Sequence, residues 1–92
     1  YAASKGGLIT MTKSLAKALA PAIRVNAVCP GVIISRWLGD HQDMVDKALS
    51  ITPLRRASTT DDIADVITFL ACDARMMTGQ ALVIDGGVVV TG

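Results

Sequence analysis

Tyr1 and Lys5 stand four residues apart, in the run Tyr1-Ala2-Ala3-Ser4-Lys5 that leads into Gly6-Gly7-Leu8-Ile9. The run reads as the start of a helix, and on a helix positions i and i+4 lie on one face, one above the other. The spacing sets an ammonium beside a phenol. A phenol by itself titrates near pH ~10, too high to trade protons at neutrality. A neighbouring cation favours the phenolate and draws that value down. Tyr1 is therefore a candidate general acid/base, with Lys5 as the group that tunes it. An ordinary amphipathic helix end matches the same pair, so its meaning rests on the elements that position it.

Residues 2 to 20 predict the first of these elements. Leu8, Met11, Leu15, Ala18 and Leu19 recur at helical spacing, with Lys13 and Lys17 off the stripe. Gly6 and Gly7 each cost about 1 kcal/mol in a helix relative to Ala, so their presence predicts a backbone or ligand close by. Pro21 ends the helix. Ile23 to Cys29 is short, β-branched and mostly apolar, as suits a parallel strand covered on both faces. Pro30-Gly31 stops it sharply. In open parallel sheets ligands bind beyond the carboxyl ends of the strands, so Pro30, Gly31, Val32, Ile33, Ile34 and Ser35 form the candidate ligand segment.

From Arg36 to Ser58 the pattern loosens, with a short helix over Asp43 to Leu49; such a stretch suits a lid or binding loop. Trp37 lies in it, either covering a ligand or anchoring the loop. The next helix has Thr59 or Thr60 as its cap, and Asp61 and Asp62 in a first turn that favours negative charge. Ile63, Val66, Ile67 and Leu70 form its apolar stripe, and its end falls near Cys72 to Asp73. A second strand is expected over Gln80 to Asp85, closed by Gly86-Gly87. Val88-Val89-Val90 reads as an apolar tail too short to be an element. The order helix, strand, loop, helix, strand is that of an α/β layer architecture.

Composition narrows the classes. The net charge of +1 comes from interspersed acids and bases, which gives no reason to expect nucleic acid or anionic lipid as a partner. Arg55-Arg56 is a solvated pair, and His41 reads as a surface residue without a partner motif. No apolar run approaches the ~18 residues of a membrane span, and no signal peptide is visible. Cys29 and Cys72 lack metal-ligand spacing and sit among apolar residues, so buried free thiols in a reducing, cytoplasmic setting are expected, with no metal. The chain is 51% hydrophobic over 92 residues, with Tyr in place of an initiator Met. Together with only two strands, that predicts a piece of a longer chain.

Three segments then agree: Tyr1-Ala-Ala-Ser-Lys5; Ile23-Arg-Val-Asn-Ala-Val-Cys-Pro-Gly31 followed by Ile33; and Thr78-Gly-Gln-Ala-Leu-Val-Ile-Asp-Gly-Gly87. In order and spacing they resemble the C-terminal part of a short-chain dehydrogenase/reductase. The resemblance covers nearly the whole chain. It implies the C-terminal part of a doubly wound, parallel-sheet, Rossmann-like domain, with residues 1–92 inside a single domain. It also implies an NAD- or NADP-dependent enzyme that interconverts an alcohol and a carbonyl of a small molecule. Tyr1 takes the place of the family's catalytic Tyr. Lys5 takes that of the Lys that lowers the Tyr pKa and hydrogen-bonds the nicotinamide ribose. Pro30, Gly31 and Ile33 match the segment that contacts the nicotinamide, and Ser35 stands where many relatives have Thr. Residues 36 to 56 correspond to the variable substrate loop. The helix over 2 to 20 packs on its copy in relatives, so a dimer or tetramer is implied.

The departures carry weight. The family's Gly-rich phosphate-binding turn, its catalytic Ser and Asn, and the residue that separates NAD from NADP are all missing. By themselves the 92 residues are expected to bind dinucleotide poorly and to be inactive. The competing reading is a non-catalytic interaction or assembly module derived from a dehydrogenase.

Overall fold

The computed structural model describes residues 2–31, 33 and 42–90. Helix α1 spans Ala2–Leu19, strand β1 Ala27–Pro30, helix α2 Gln42–Ser50, helix α3 Thr60–Cys72 and strand β2 Ala81–Ile84, followed by a 3-10 turn over Val88–Val90. The strands pair in parallel, Ala27 with Ala81 through Pro30 with Ile84. Parallel neighbours require a long crossover, and α2 and α3 lie within it. The arrangement is that of a partial α/β domain.

α3 starts as its sequence dictates. Thr59 is the N-cap: its hydroxyl accepts from the Asp62 N–H, and the Asp62 carboxylate accepts from the Thr59 N–H. This reciprocal box satisfies two donors that a helix start leaves orphaned. Leu70 is buried and Ile63 and Val66 are half-buried, whereas Ile67 is exposed. The far end of α3 is fastened by Arg24. Its guanidinium donates to the carbonyls of Leu70 at 2.8 Å, Ala74 at 2.8 Å, Met77 at 3.2 Å and Ala71 at 3.2 Å. A cation suits a helix C-terminus, where the last carbonyls lack partners.

β1 is shorter than the expected Ile23 to Cys29 and runs one residue further, into Pro30. The reason is where residues 24 to 26 spend their hydrogen bonds. The Val25 N–H donates to the Thr78 hydroxyl, and its carbonyl accepts from the Gly79 N–H at 2.7 Å. Asn26 donates to the Met77 carbonyl at 2.9 Å and accepts from the Gln80 N–H at 3.1 Å. A turn some fifty residues away thus replaces the strand ladder. β2 likewise covers Ala81–Ile84, within the expected Gln80 to Asp85.

α1 buries a different face from its apolar stripe. Thr12 and Ala16 are buried, while Leu8 (52%), Met11 (52%), Leu15 (42%) and Leu19 (38%) stay exposed. Small residues let the helix approach closely: a Cβ on Gly79 would sit 3.5 Å from the Ala16 Cβ. At Gly6 and Gly7 an added Cβ would meet nothing within 4 Å, so the close neighbour expected there is not among the described residues.

The remaining core residues are also modest in size: Val45, Ala57, Leu70 and Ala74. Among the described residues no large side chain is fully buried. The two thiols are free but not buried as expected, since Cys29 is half-buried and Cys72, the last residue of α3, is exposed. The valine tail is not structureless either. The Asp85 carboxylate caps its 3-10 turn by accepting from the Gly87 N–H at 2.8 Å and the Val89 N–H at 2.9 Å. Among the described residues no helix is long and apolar enough to cross a membrane.

Candidate active site

The carboxyl ends of β1 and β2 are the edge at which parallel sheets bind ligands. Pro30 closes β1 opposite Ile84, and the next N–H, that of Gly31, donates to the Ile84 carbonyl at 2.9 Å. Gly31 therefore offers this edge shape and not a spare donor. A side chain there would not fit, because its Cβ would fall 2.9 Å from the Asp85 Cα. Ile33 returns to the body of the protein through an isolated parallel bridge to Ser58. Ser58 directly precedes the cap of α3, so the helix start and the segment after β1 are fastened together.

Pro30, Gly31 and Ile33 are thus brought to one edge. Lys5 stands on a separate element, in α1, with its side chain exposed. Tyr1 and Ser35 lie outside the described residues, as do Trp37 and His41.

Charge near this edge comes from Arg56 and Asp62, paired at 3.2 Å. The Thr59 N–H that donates to Asp62 holds its carboxyl below the ordinary carboxylate range, and Arg56 adds to that effect. A small cavity of ≈ 220 Å³ opens here, between Leu54, Ser58, Ile84 and Gly86. A wider one of ≈ 500 Å³ lies elsewhere, between β1 and α3 beside Arg24. With that guanidinium spent on carbonyls, the wider cavity has no group placed for chemistry.

Sequence reasoning passed over Asp85 as an organiser of this edge, and over Arg24 and Asn26, which fasten the opposite, amino end of β1. A signal existed for Arg24 and Asn26: spaced i and i+2 on an extended segment, they share one face. Asp85 carried the plainer signal of an acid before two glycines, a turn-former that bonds its own backbone.

The chain has clear relatives. Residues 1–89 match a family model described as enoyl-(acyl carrier protein) reductase. The 3-oxoacyl-[acyl-carrier-protein] reductase FabG of Thermotoga maritima is 47% identical over 93 residues, covering 98% of this chain and 38% of that protein. The short-chain dehydrogenase/reductase homolog YusR of Bacillus subtilis is 38% identical over 87 residues, covering 95% of this chain and 67% of that protein. Among solved structures, 4-hydroxyisoleucine dehydrogenase complexed with NADH superposes with a TM-score of 0.89 at 34% identity, over 100% of this chain and 40% of that one. ElxO with NADP bound gives a TM-score of 0.88 at 37% identity, over 97% and 38%. Of the first five curated relatives, the chain spans 36–38% of the length.

Proposed function

The chain belongs to the short-chain dehydrogenase/reductase family, and from that premise we propose that it serves NAD- or NADP-dependent interconversion of an alcohol and a carbonyl, with Tyr1 as general acid/base. Residues 1–92 act in this reading as the C-terminal part of one such domain. The observation that carries it is the glycine edge. The Tyr1-x-x-x-Lys5 spacing accompanies two parallel strands whose shared carboxyl end is kept clear of side chains by Gly31.

The residues present suit the nicotinamide end of the cofactor: Pro30 and Gly31 offer a flat backbone surface, Ile33 an apolar contact, Lys5 a cation for the ribose and Ser35 a hydroxyl. When bound, the cofactor would supply the hydride in reduction and accept it in oxidation. Tyr1 holds a proton on its phenolic oxygen, gives it to the carbonyl oxygen in reduction and takes it back in oxidation. Lys5 stabilises the phenolate, so that this exchange operates near neutral pH. The chain's relatives include enzymes named for 3-oxoacyl-carrier-protein and for glucose, and the substrate is of that carbonyl or sugar class.

Alone, the 92 residues lack a phosphate-binding turn and are inactive. The exposed Leu8, Met11, Leu15 and Leu19 stripe supports a homo-oligomer joined through α1, and the free thiols suit a cytoplasmic setting.

The test is a chimera in which residues 1–92 replace the matching segment of the Thermotoga maritima reductase. Turnover of a 3-oxoacyl thioester with NADH or NADPH, or of glucose with NAD+ or NADP+, is expected, and Tyr1→Phe should lower kcat by about 10²–10⁴-fold. A Tyr1→Phe chimera as fast as its parent would overturn the role of Tyr1. Tight binding of reduced cofactor to the 92-residue chain alone, read by fluorescence, would overturn its inactivity.

A further inference from the structure

The turn after β2 touches both halves of the site. On one side, the Asp85 backbone fills the space that a Gly31 side chain would need, at 2.9 Å. On the other, Gly86 and Gly87 receive the chain as it leaves α2. Buried Thr52 donates its hydroxyl proton to the Ala48 carbonyl at 2.8 Å, within the last turn of α2. Its methyl group occupies the place of a Gly86 Cβ, which would fall 2.7 Å away. Pro53 lies over Gly87, whose Cβ would come within 3.0 Å of its ring. The Leu54 N–H donates to the Gly86 carbonyl at 3.0 Å. Three consecutive residues after α2 therefore rest on two consecutive glycines.

Both glycines have positive φ, +66° and +99°, a conformation that side chains rarely adopt. Asp85 holds them there by accepting from the N–H groups of Gly87 and Val89. The contacts form an unbroken line: Gly31, Asp85, Gly86-Gly87, Thr52-Pro53, α2.

We propose that the Asp85-Gly86-Gly87 turn is a positioning element that fixes α2 relative to the Gly31 edge. Resting on the oxidoreductase reading above, it makes these residues determinants of substrate fit, because α2 belongs to the loop assigned to substrate. The turn does no chemistry. It transmits the position of the strand ends to the helix that borders the substrate.

Segment-resolved amide hydrogen exchange on the chain tests this. Gly86→Ala meets both an unfavourable φ and the Thr52 methyl, so exchange at Leu49, Thr52 and Leu54 should quicken by about tenfold or more. Exchange at Ala27 and within α3 should stay within about twofold, because those bonds do not pass through the turn. Adding Thr52→Ser removes the methyl and keeps the hydroxyl bond to Ala48, and should recover about a third or more of the loss on a logarithmic scale. Should Gly86→Ala fail to fold, Asp85→Asn serves. It keeps the acceptor for Gly87 and loses the one for Val89, and should quicken exchange at Gly87 and Val89 first and at Leu54 next. Uniform quickening across all segments, or none at α2, overturns the proposal. A chimera without turnover would overturn the oxidoreductase reading and leave these exchange rates unaffected.

Discussion

At the amino ends of β1 and β2 the chain is tied by polar side chains; at their carboxyl ends it is fitted by glycines. Arg24, Asn26 and Thr78 lace the start of β1 to the end of α3 and to the turn before β2, through hydrogen bonds of 2.8 to 3.2 Å. Across the sheet, Gly31 lies on Asp85, Gly86 on Thr52 and Gly87 on Pro53, with almost no room to spare. The two fastenings answer different demands. Side-chain donors fix a joint firmly and fill its surface with their own bonds, which leaves little for a ligand. Glycines bring backbones together without projecting side chains, which leaves the edge open to an approaching molecule. The end proposed to work is fitted mainly by glycines, and the end that anchors it is held by side-chain hydrogen bonds to backbone.

Arg24→Met puts most strain on that contrast. It strips donors from four carbonyls, and bonds to charged groups contribute about 1.5–3 kcal/mol each before overlap, so a net loss near ~3 kcal/mol is expected in urea unfolding. Arg24→Lys should restore less than half, since an ammonium cannot span the same fork of acceptors. A loss under about 0.5 kcal/mol, typical of a surface site, would mean that the lace is not what holds the amino end.

At the other end Gly31→Ala should cost about 1–3 kcal/mol through overpacking against backbone that cannot move aside. It should raise exchange at Gly31 itself, whose N–H pairs with Ile84, before that at Ala27. If Arg24→Met and Gly31→Ala opened the same amides in the same order, the two ends would be one cooperative joint and the distinction would fall.

How legible each end was in the sequence follows from the same physics. The start of α3 was readable to within one residue, Thr59 or Thr60, from a hydroxyl before two acids, and the reciprocal bonds with Asp62 decide for Thr59. The glycine edge was readable because Pro30-Gly31 and Gly86-Gly87 interrupt apolar runs. Residues 24 to 26 were misread as strand because they sit in a short, mostly apolar run with β-branched residues, while their partners lie in residues 70 to 80. Local propensity does not register a partner at that separation. The stripe of α1 stays exposed, and the face buried in the structure is that of Thr12 and Ala16, where small Ala16 packs against Gly79. Within the candidate site, Lys5, Pro30, Gly31 and Ile33 can be located, and Tyr1 and Ser35 lie outside the described residues.

α3 joins the two ends, and its cap gives the smaller effects. Thr59→Ala removes the hydroxyl that accepts from Asp62 and should cost about 1 kcal/mol. That is a fraction of the Arg24→Met effect, and a larger loss would shift the weight of the fold toward the carboxyl end.

The finest test uses pH on Asp62. Its carboxyl titrates below the ordinary value, so the charged form favours the folded state. Stability from this source is complete above the ordinary carboxylate value of about 4 and declines as pH falls through the lower, folded value. Asp62→Asn still accepts from the Thr59 N–H but carries no charge to attract Arg56 or complement the helix start. The stability difference between wild type and Asp62→Asn should therefore be full above about pH 4 and shrink as pH falls below it and the wild-type carboxyl takes up its proton. Subtracting the two profiles cancels the other carboxylates. A difference that held constant across that range would mean that Asp62 caps α3 as a neutral acceptor alone, and the carboxyl end would then be fastened by shape and neutral hydrogen bonds without help from charge.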